Sequence, residues 1–205
     1  MKYPIYVIGH EILRKEGRNI DIETEKEEIS ELITDMFDAM KESEGVGLAA
    51  QQIGKSLKLF LVDASPLADE LPELADFKHA FINAVITERK GDIIKMNEGC
   101  LSIPGLREDV WRHDEITIKY IDENFQEQEN TFSGYVARII QHEYDHTYGI
   151  LFTDRISKVR KALIQNKIKA MALGKFKASY KTVLGNKKTS AQYLFRNVKD
   201  YISSM

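Results

Sequence analysis

One run of five residues constrains this chain more than any other: His142-Glu143-Tyr144-Asp145-His146. On a helix, positions four apart are separated by about 400° of rotation, so the two imidazoles project from nearly one face, one turn apart. Both can reach one metal ion, and the intervening glutamate then sits beside that ion as a base. The apolar residues upstream orient this face. Val136, Ile139 and Ile140 mark an inner stripe, and Ile139, His142, Glu143 and His146 continue it at i, i+3, i+4 and i+7. A carboxylate and two histidines on a core-facing stripe are costly unless they are paired or coordinated. A helix is therefore expected from Gly134 to about Tyr148, with Ser133 as N-cap and Gly149 as stop.

A metal site needs a third protein ligand. In one large protease class the helix is followed by His-x-x-Gly-x-x-His; here Gly149 fits, but Phe152 stands where the third histidine belongs. A second class takes a glutamate further downstream, and no glutamate follows Glu143. The third ligand is therefore expected upstream. The single cysteine, Cys100, competes with His10, His79 and His113 for the role; zinc and ferrous iron both accept a thiolate beside two imidazoles.

The rest of the chain frames this helix. With 205 residues, 43% hydrophobic and 30% charged, it can bury a core without staples. One cysteine cannot form an intrachain disulfide, and the N-terminus does not read as a signal peptide, so a reducing cytoplasmic setting is expected. No apolar run approaches a membrane span, and no membrane partner is expected. Ile29, Leu32, Ile33, Met36, Phe37 and Met40 recur at helical spacing, predicting an amphipathic helix over 25–42 with Thr24 and Glu27 as a capping box. Strand-like stretches follow at Leu57–Val62, Phe81–Thr87, Asp92–Met96, Glu115–Ile121 and Gln126–Phe132, and Ala64–Lys78 reads as an exposed excursion. Strands clustered between two helices predict an α+β fold with mainly antiparallel sheet. Charge is segregated: residues 157–205 carry a balance of +11, and residues 1–156 one of −14. A basic tail of this kind either solvates a lysine-rich helix or meets phosphate backbones.

Three ordered segments resemble one family. Gly45-Val46-Gly47-Leu48-Ala49-Ala50-Gln51-Gln52, Glu98-Gly99-Cys100-Leu101-Ser102 and Gln141-His142-Glu143-Tyr144-Asp145-His146 are similar to the three motifs of peptide deformylases, in the same order and spacing. The resemblance covers roughly residues 5–170. It implies a catalytic domain over 1–170, packed around the motif helix, and a basic extension over 171–205. It also implies removal of formyl from N-formylmethionyl peptides, with release of formate. Cys100, His142 and His146 become the implied ligands of one divalent ion, natively Fe²⁺, with Zn²⁺, Ni²⁺ or Co²⁺ in isolated protein. Gln52 and the Leu101 N–H are implied as oxyanion donors, and Gly45, Val46, Gly47 and Arg107 as substrate contacts. Glu98 and Arg112 are implied as a pair bracing the metal loop. Ile82-Asn83-Ala84 departs from the family's usual Ile-Asn-Pro.

Chemistry argued from the residues runs parallel. Three protein ligands leave a position for water, whose pKa a divalent ion lowers. Glu143, between two ligating neighbours, is placed to take the water's proton and pass it to the leaving amine. A metalloprotease lacks its downstream ligand here. A non-enzymatic RNA- or ribosome-associated protein using the tail leaves Glu143 unexplained. Association of the tail with ribosomes near nascent chains is expected, and stable DNA binding is not. Asp145 is assigned only helix packing or support of the ligands, Arg138 is a helix arginine beside the pocket, and Trp111 and His113 carry no role.

Overall fold

The computed structural model describes residues 3–69 and 71–196. Its centre is a five-stranded antiparallel sheet in the order β2 (Gly47–Ala49), β3 (Leu59–Asp63), β4 (Lys78–Cys100), β5 (Ile103–Ile121), β6 (Glu127–Ser133). Three helices accompany it: α1 (Lys26–Glu42), α2 (Gly134–Thr147) and α3 (Lys158–Ala172). The expected α+β class holds.

The strands are longer than their hydrophobic alternation indicated. The stretches expected at Phe81–Thr87 and Asp92–Met96 are one strand, β4, and Glu115–Ile121 is only the last part of β5. The polar residues between them hid this continuity, because the hairpin's outer face is solvated and its ladder needs no apolar side chain there. Register shifts at Ile82/Val85, Ile86/Glu88, Lys90/Ile93 and Gly99/Cys100 interrupt the β4–β5 ladder. Such bulges bend a strand, and this hairpin serves two cores. Near its open end, Ala84, Ile86, Ile116 and Ile118 pack with Val136, Ala137, Ile139 and Ile140 of α2. Near its turn, Ile103, Leu106 and Val110 pack with Phe152 and with Ile164 and Ile168 of α3. Asn83 takes the first bend with φ 51°, a conformation asparagine tolerates. Its amide holds both the N–H and the C=O of Ile20 at 2.8 Å, so the asparagine shared with Ile-Asn-Pro is a cross-link, and the departure is confined to Ala84.

α1 starts where the periodicity predicts but without the expected cap. Glu25, not Thr24, is the N-cap residue, and its side chain does not cap the helix. Its carboxylate instead accepts from Arg18 and from the Asp21 N–H. A lost cap costs about 1 kcal/mol, and one buried Ile, Leu or Met contributes about 1.5–3 kcal/mol. The buried row Ile29, Leu32, Ile33, Met36, Ala39 and Met40 therefore decides the helix. Ser133 is the N-cap of α2 and Gly149 follows its end with φ 68°, as expected, although the Ser133 hydroxyl makes no capping bond. The 64–78 excursion is not simply exposed: Ala64 and Leu74 are buried and Phe77 packs edge-on against Phe132.

The C-terminal part returns to the body. α3 is capped by Ser157, whose side chain accepts from the Arg160 N–H, and buries Ile164, Ile168, Met171 and Ala172. β7 (Thr182–Val183) pairs in parallel with β1 (Ile5–Tyr6), and Leu194 is buried. Arg14 donates to the carbonyls of Tyr193 and Leu194 and pairs with Asp154. Of the extension expected at 171–205, residues 197–205 lie outside the described residues. Among the described residues, no helix is long and apolar enough to cross a membrane.

Candidate active site

α2 is buried on almost every side, from Val136 through Glu143 and from Asp145 to Thr147. The sequence suggested a single inner stripe. The hairpin instead covers its polar face as well, where Arg138, Gln141, His142 and Asp145 find partners. His142 and His146 lie one above the other with ring centroids 5.2 Å apart, as i, i+4 spacing requires. Cys100, the last residue of β4, faces them: its Sγ lies 3.3 Å from His146 Nε2. Ligand atoms of Cys100, His142 and His146 all fall within 4.8 Å of one another. The competing histidines are elsewhere. His10 accepts from the Ile12 N–H, His79 faces Glu123, and His113 lies beside the Gly91 carbonyl.

A buried ionic network stands behind this triangle. His142 Nδ1 donates to Glu98 Oε2 at 2.9 Å, which turns the other ring nitrogen toward Cys100. Arg112, fully buried, donates to both Glu98 oxygens at 2.7 and 3.0 Å and to Asp145 Oδ2 at 2.7 Å. Arg138 also donates to Glu98, at 2.9 Å, and Arg155 pairs with Asp145. Burial opposes charge on Glu98, but Arg112 and His142 hold its carboxyl well below the usual range. Burial likewise opposes charge on Asp145, which Arg155 and Arg112 keep ionised. Asp145 was expected only in helix packing or support of the ligands and Arg138 only beside the pocket, while Arg155 had no assigned part; all three join this brace. The available signal was helical phase: Arg138 precedes His142 by one turn, so both reach the same carboxylate.

The other side of the triangle is open. A cleft of about 580 Å³ is lined by Gly45, Val46, Gly47, Gln52, Cys100, Leu101, Arg107, His142 and Glu143. Glu98, Arg112 and His146 do not line it; they sit behind. Gln52 is anchored by its own carbonyl, which accepts from the Ala49 N–H at 2.8 Å. Its amide nitrogen then lies 3.5 Å from Cys100 Sγ and 3.3 Å from Ser102 Oγ. Gly47 is needed for close approach: a Cβ there would stand 2.5 Å from Glu143 Oε1. Arg107 is held by Asn97, through the side-chain oxygen at 2.7 Å and the carbonyl at 2.9 Å. Burial pushes Glu143 up to about 7, and its Oε2 has no hydrogen-bond partner among the described residues. Burial and the neighbouring His142 hold His146 well below the ordinary imidazole value, so its ring favours the uncharged, ligand-competent form. Lys177–Tyr180 also line the cleft, and the Tyr180 hydroxyl donates to the Leu101 carbonyl at 2.7 Å. No sequence signal pointed to Tyr180.

The donor set fits a divalent ion. A thiol sulfur and two imidazoles are the ligands that zinc and ferrous iron accept, and a carboxylate on the outer nitrogen of one ring is the usual orienting partner. With a buried glutamate of near-neutral pKa beside it, the arrangement defines a metal-dependent hydrolase. The polypeptide deformylase family model matches residues 2–162. A peptide deformylase of Christiangramia forsetii is 45% identical over 195 residues, covering 92% of this chain and 98% of its own. Among solved structures, the peptide deformylase of Thermus thermophilus is 40% identical with a TM-score of 0.70, covering 80% of this chain and 92% of that one. A plant peptide deformylase is 29% identical with a TM-score of 0.73, covering 84% and 90%. The chain belongs to the polypeptide deformylase family, and its activity is removal of the N-formyl group from nascent peptides.

Proposed function

We propose that the formyl amide is hydrolysed in the cleft over Cys100, His142 and His146, with Glu143 as proton carrier. The observation that carries this reading is the state of Glu143: buried, lining the cleft beside Cys100 and His142, pushed up to about 7, with one oxygen unpartnered among the described residues. An acid near neutrality both accepts and returns a proton. When bound by the three ligands, a divalent ion supplies Lewis acidity and lowers the pKa of water. Glu143 removes a proton from the attacking water and delivers it to the leaving amine. The Gln52 side-chain N–H and the Leu101 backbone N–H face the oxygen of the formyl group as it gains charge, each worth about 2.7–4 kcal/mol of barrier. The peptide portion lies along Gly45, Val46 and Gly47 as an added strand, because β2 is an edge of the sheet, with Arg107 beyond. The formyl carbon bears only hydrogen, so a narrow site can admit it.

On this reading the native ion is Fe²⁺, Zn²⁺, Ni²⁺ or Co²⁺ can replace it in isolated protein, and the reaction runs in the cytoplasm. Residues 1–170 carry the reaction, and residues 171–205 are an extension of it. Formate release from a formyl-Met peptide by anaerobically prepared protein, with its metal content measured, is the direct test. Cys100→Ser is expected to lose most bound metal, and full metal stoichiometry in that variant places the third ligand elsewhere. The exposed cations of α3 and the segment after it, among them Lys158, Lys169 and Lys175, support approach to ribosomal RNA by counterion release. Changing these three to Glu is expected to weaken ribosome association, and unchanged association removes this part of the reading.

A further inference from the structure

The turn joining β4 to β5 carries Cys100 at its start and the Leu101 N–H immediately after. Cys100 pairs with Ile103 across it, so Leu101 and Ser102 are its central residues. Neither has a positive φ, which excludes turns of types II, I′ and II′. Types I and II differ by rotation of the central peptide, here the Leu101 C=O and Ser102 N–H. Each part of this turn is held by a different element. The Ile8 N–H donates to the Ser102 carbonyl at 2.9 Å, and the Gln52 amide lies 3.3 Å from Ser102 Oγ. The central peptide is held by the Tyr180 hydroxyl on the Leu101 carbonyl at 2.7 Å. Tyr180 lies in the wall of the cleft and packs against the α1 core. It comes from beyond α3, past the residues the family model matches.

We propose that Tyr180 is a positioning residue for deformylation: its hydroxyl anchors Leu101 through the Leu101 carbonyl and so holds in place the residue that carries the N–H. The proposal rests on the reading of that N–H as an oxyanion donor. Such a donor acts only if it is already aimed, within about 2.7–3.1 Å, at where the oxyanion forms. The N–H direction follows Leu101 φ, which turns of types I and II share, so the freedom that matters is displacement of Leu101 as a whole. A hydroxyl on the adjoining carbonyl removes this freedom before substrate arrives. The segment following α3 would thus complete the site and not merely flank it.

The test is Tyr180→Phe in the full-length, metal-loaded protein, which keeps the ring and its packing. The expected result is a kcat about tenfold lower, the change one hydrogen bond can carry, with KM little changed and full metal content. Two inhibitors sharpen it. One is an aldehyde analogue with CH2 in place of the formamide N–H, bound as its tetrahedral hydrate. The other is the deformylated Met-peptide product. The aldehyde should weaken in step with kcat, and the product should not. A kcat equal to wild type, equal weakening of both inhibitors, or loss of metal or fold overturns the proposal. Replacing Leu101 by its α-hydroxy acid removes the N–H alone. If that ester is slow while Tyr180→Phe is not, the oxyanion reading stands and the Tyr180 proposal falls. If the ester has wild-type kcat, the oxyanion reading fails and takes the proposal with it.

Discussion

Glu98 and Glu143 are both buried carboxylates within reach of the α2 histidines, yet they are in opposite electrostatic states. Glu98 is surrounded by Arg112, Arg138 and the His142 N–H, and stays ionised well below the usual carboxylate range. Glu143 meets burial without a cationic hydrogen-bond partner, has an unpartnered oxygen, and is pushed up to about 7. The difference separates two jobs. Behind the ligands, every charge is paired, which costs least and holds the His142 ring in one orientation. In front, the group that the proposed mechanism uses as proton carrier is left without a cation to fix its charge. The same division separates Arg112, buried and shared between two carboxylates, from Arg107, exposed at the cleft and held by the neutral Asn97.

Substituting each member of this pair tests the division. Glu143→Gln should lower kcat by about 10²–10⁴ with bound metal unchanged; formate release and metal analysis on one preparation decide it, and retained activity breaks the assignment. Arg112→Met leaves Glu98 and Asp145 as buried carboxylates short of a partner, and should destabilise the fold by roughly 3–5 kcal/mol, read from urea midpoints. Opposite pH dependences should follow in metal-free protein. The folded pKa of Glu98 is depressed, so its stabilisation is fully present above its ordinary value near 4.5 and is lost as pH falls through the folded value. The folded pKa of Glu143 is raised, so its burial costs nothing below 4.5 and a growing amount up to about 7. Glu143→Gln should therefore stabilise at pH ~8 by on the order of 3 kcal/mol and have little effect at pH ~4. Glu98→Gln should do the reverse, flattening the acid limb of stability. The smallest expected effect is on the ion itself: Glu98→Gln should weaken metal affinity about 10- to 100-fold, measured by competition with a chelator.

Much of the site was legible because its signals are local or depend on motif order. His142 and His146 share a helix face by spacing alone, and Gly149 ends that helix because only a residue tolerant of φ 68° continues there. Cys100 could be narrowed to one of four candidates by elimination, and motif order singled it out. The strands were harder. β4 was read as two fragments because its middle, from Thr87 to Ile93, is solvated on both faces, and β5 was read only at its end because its earlier buried positions include the charged Glu108 and Arg112. The capping box at Thr24 was a local pattern overridden when Arg18 and Asp21 engaged Glu25. The pairing of Arg138, Asp145 and Arg155 in one network was not legible because an ion network is defined by which charges meet, and Arg112 reaches Asp145 from another element.

By itself, the sequence determined which helix faces inward, which residues can bind a cation, and the family to which the chain belongs, since all three reside in residue type and spacing along the chain. Tertiary structure decided which carboxylate is held ionised and which is pushed toward neutrality, because that depends on the cations packed within hydrogen-bonding distance. It also decided that a tyrosine far downstream closes over the Leu101 turn. Contacts between segments so distant in the chain leave no periodicity to read, and only the folded packing brings them together.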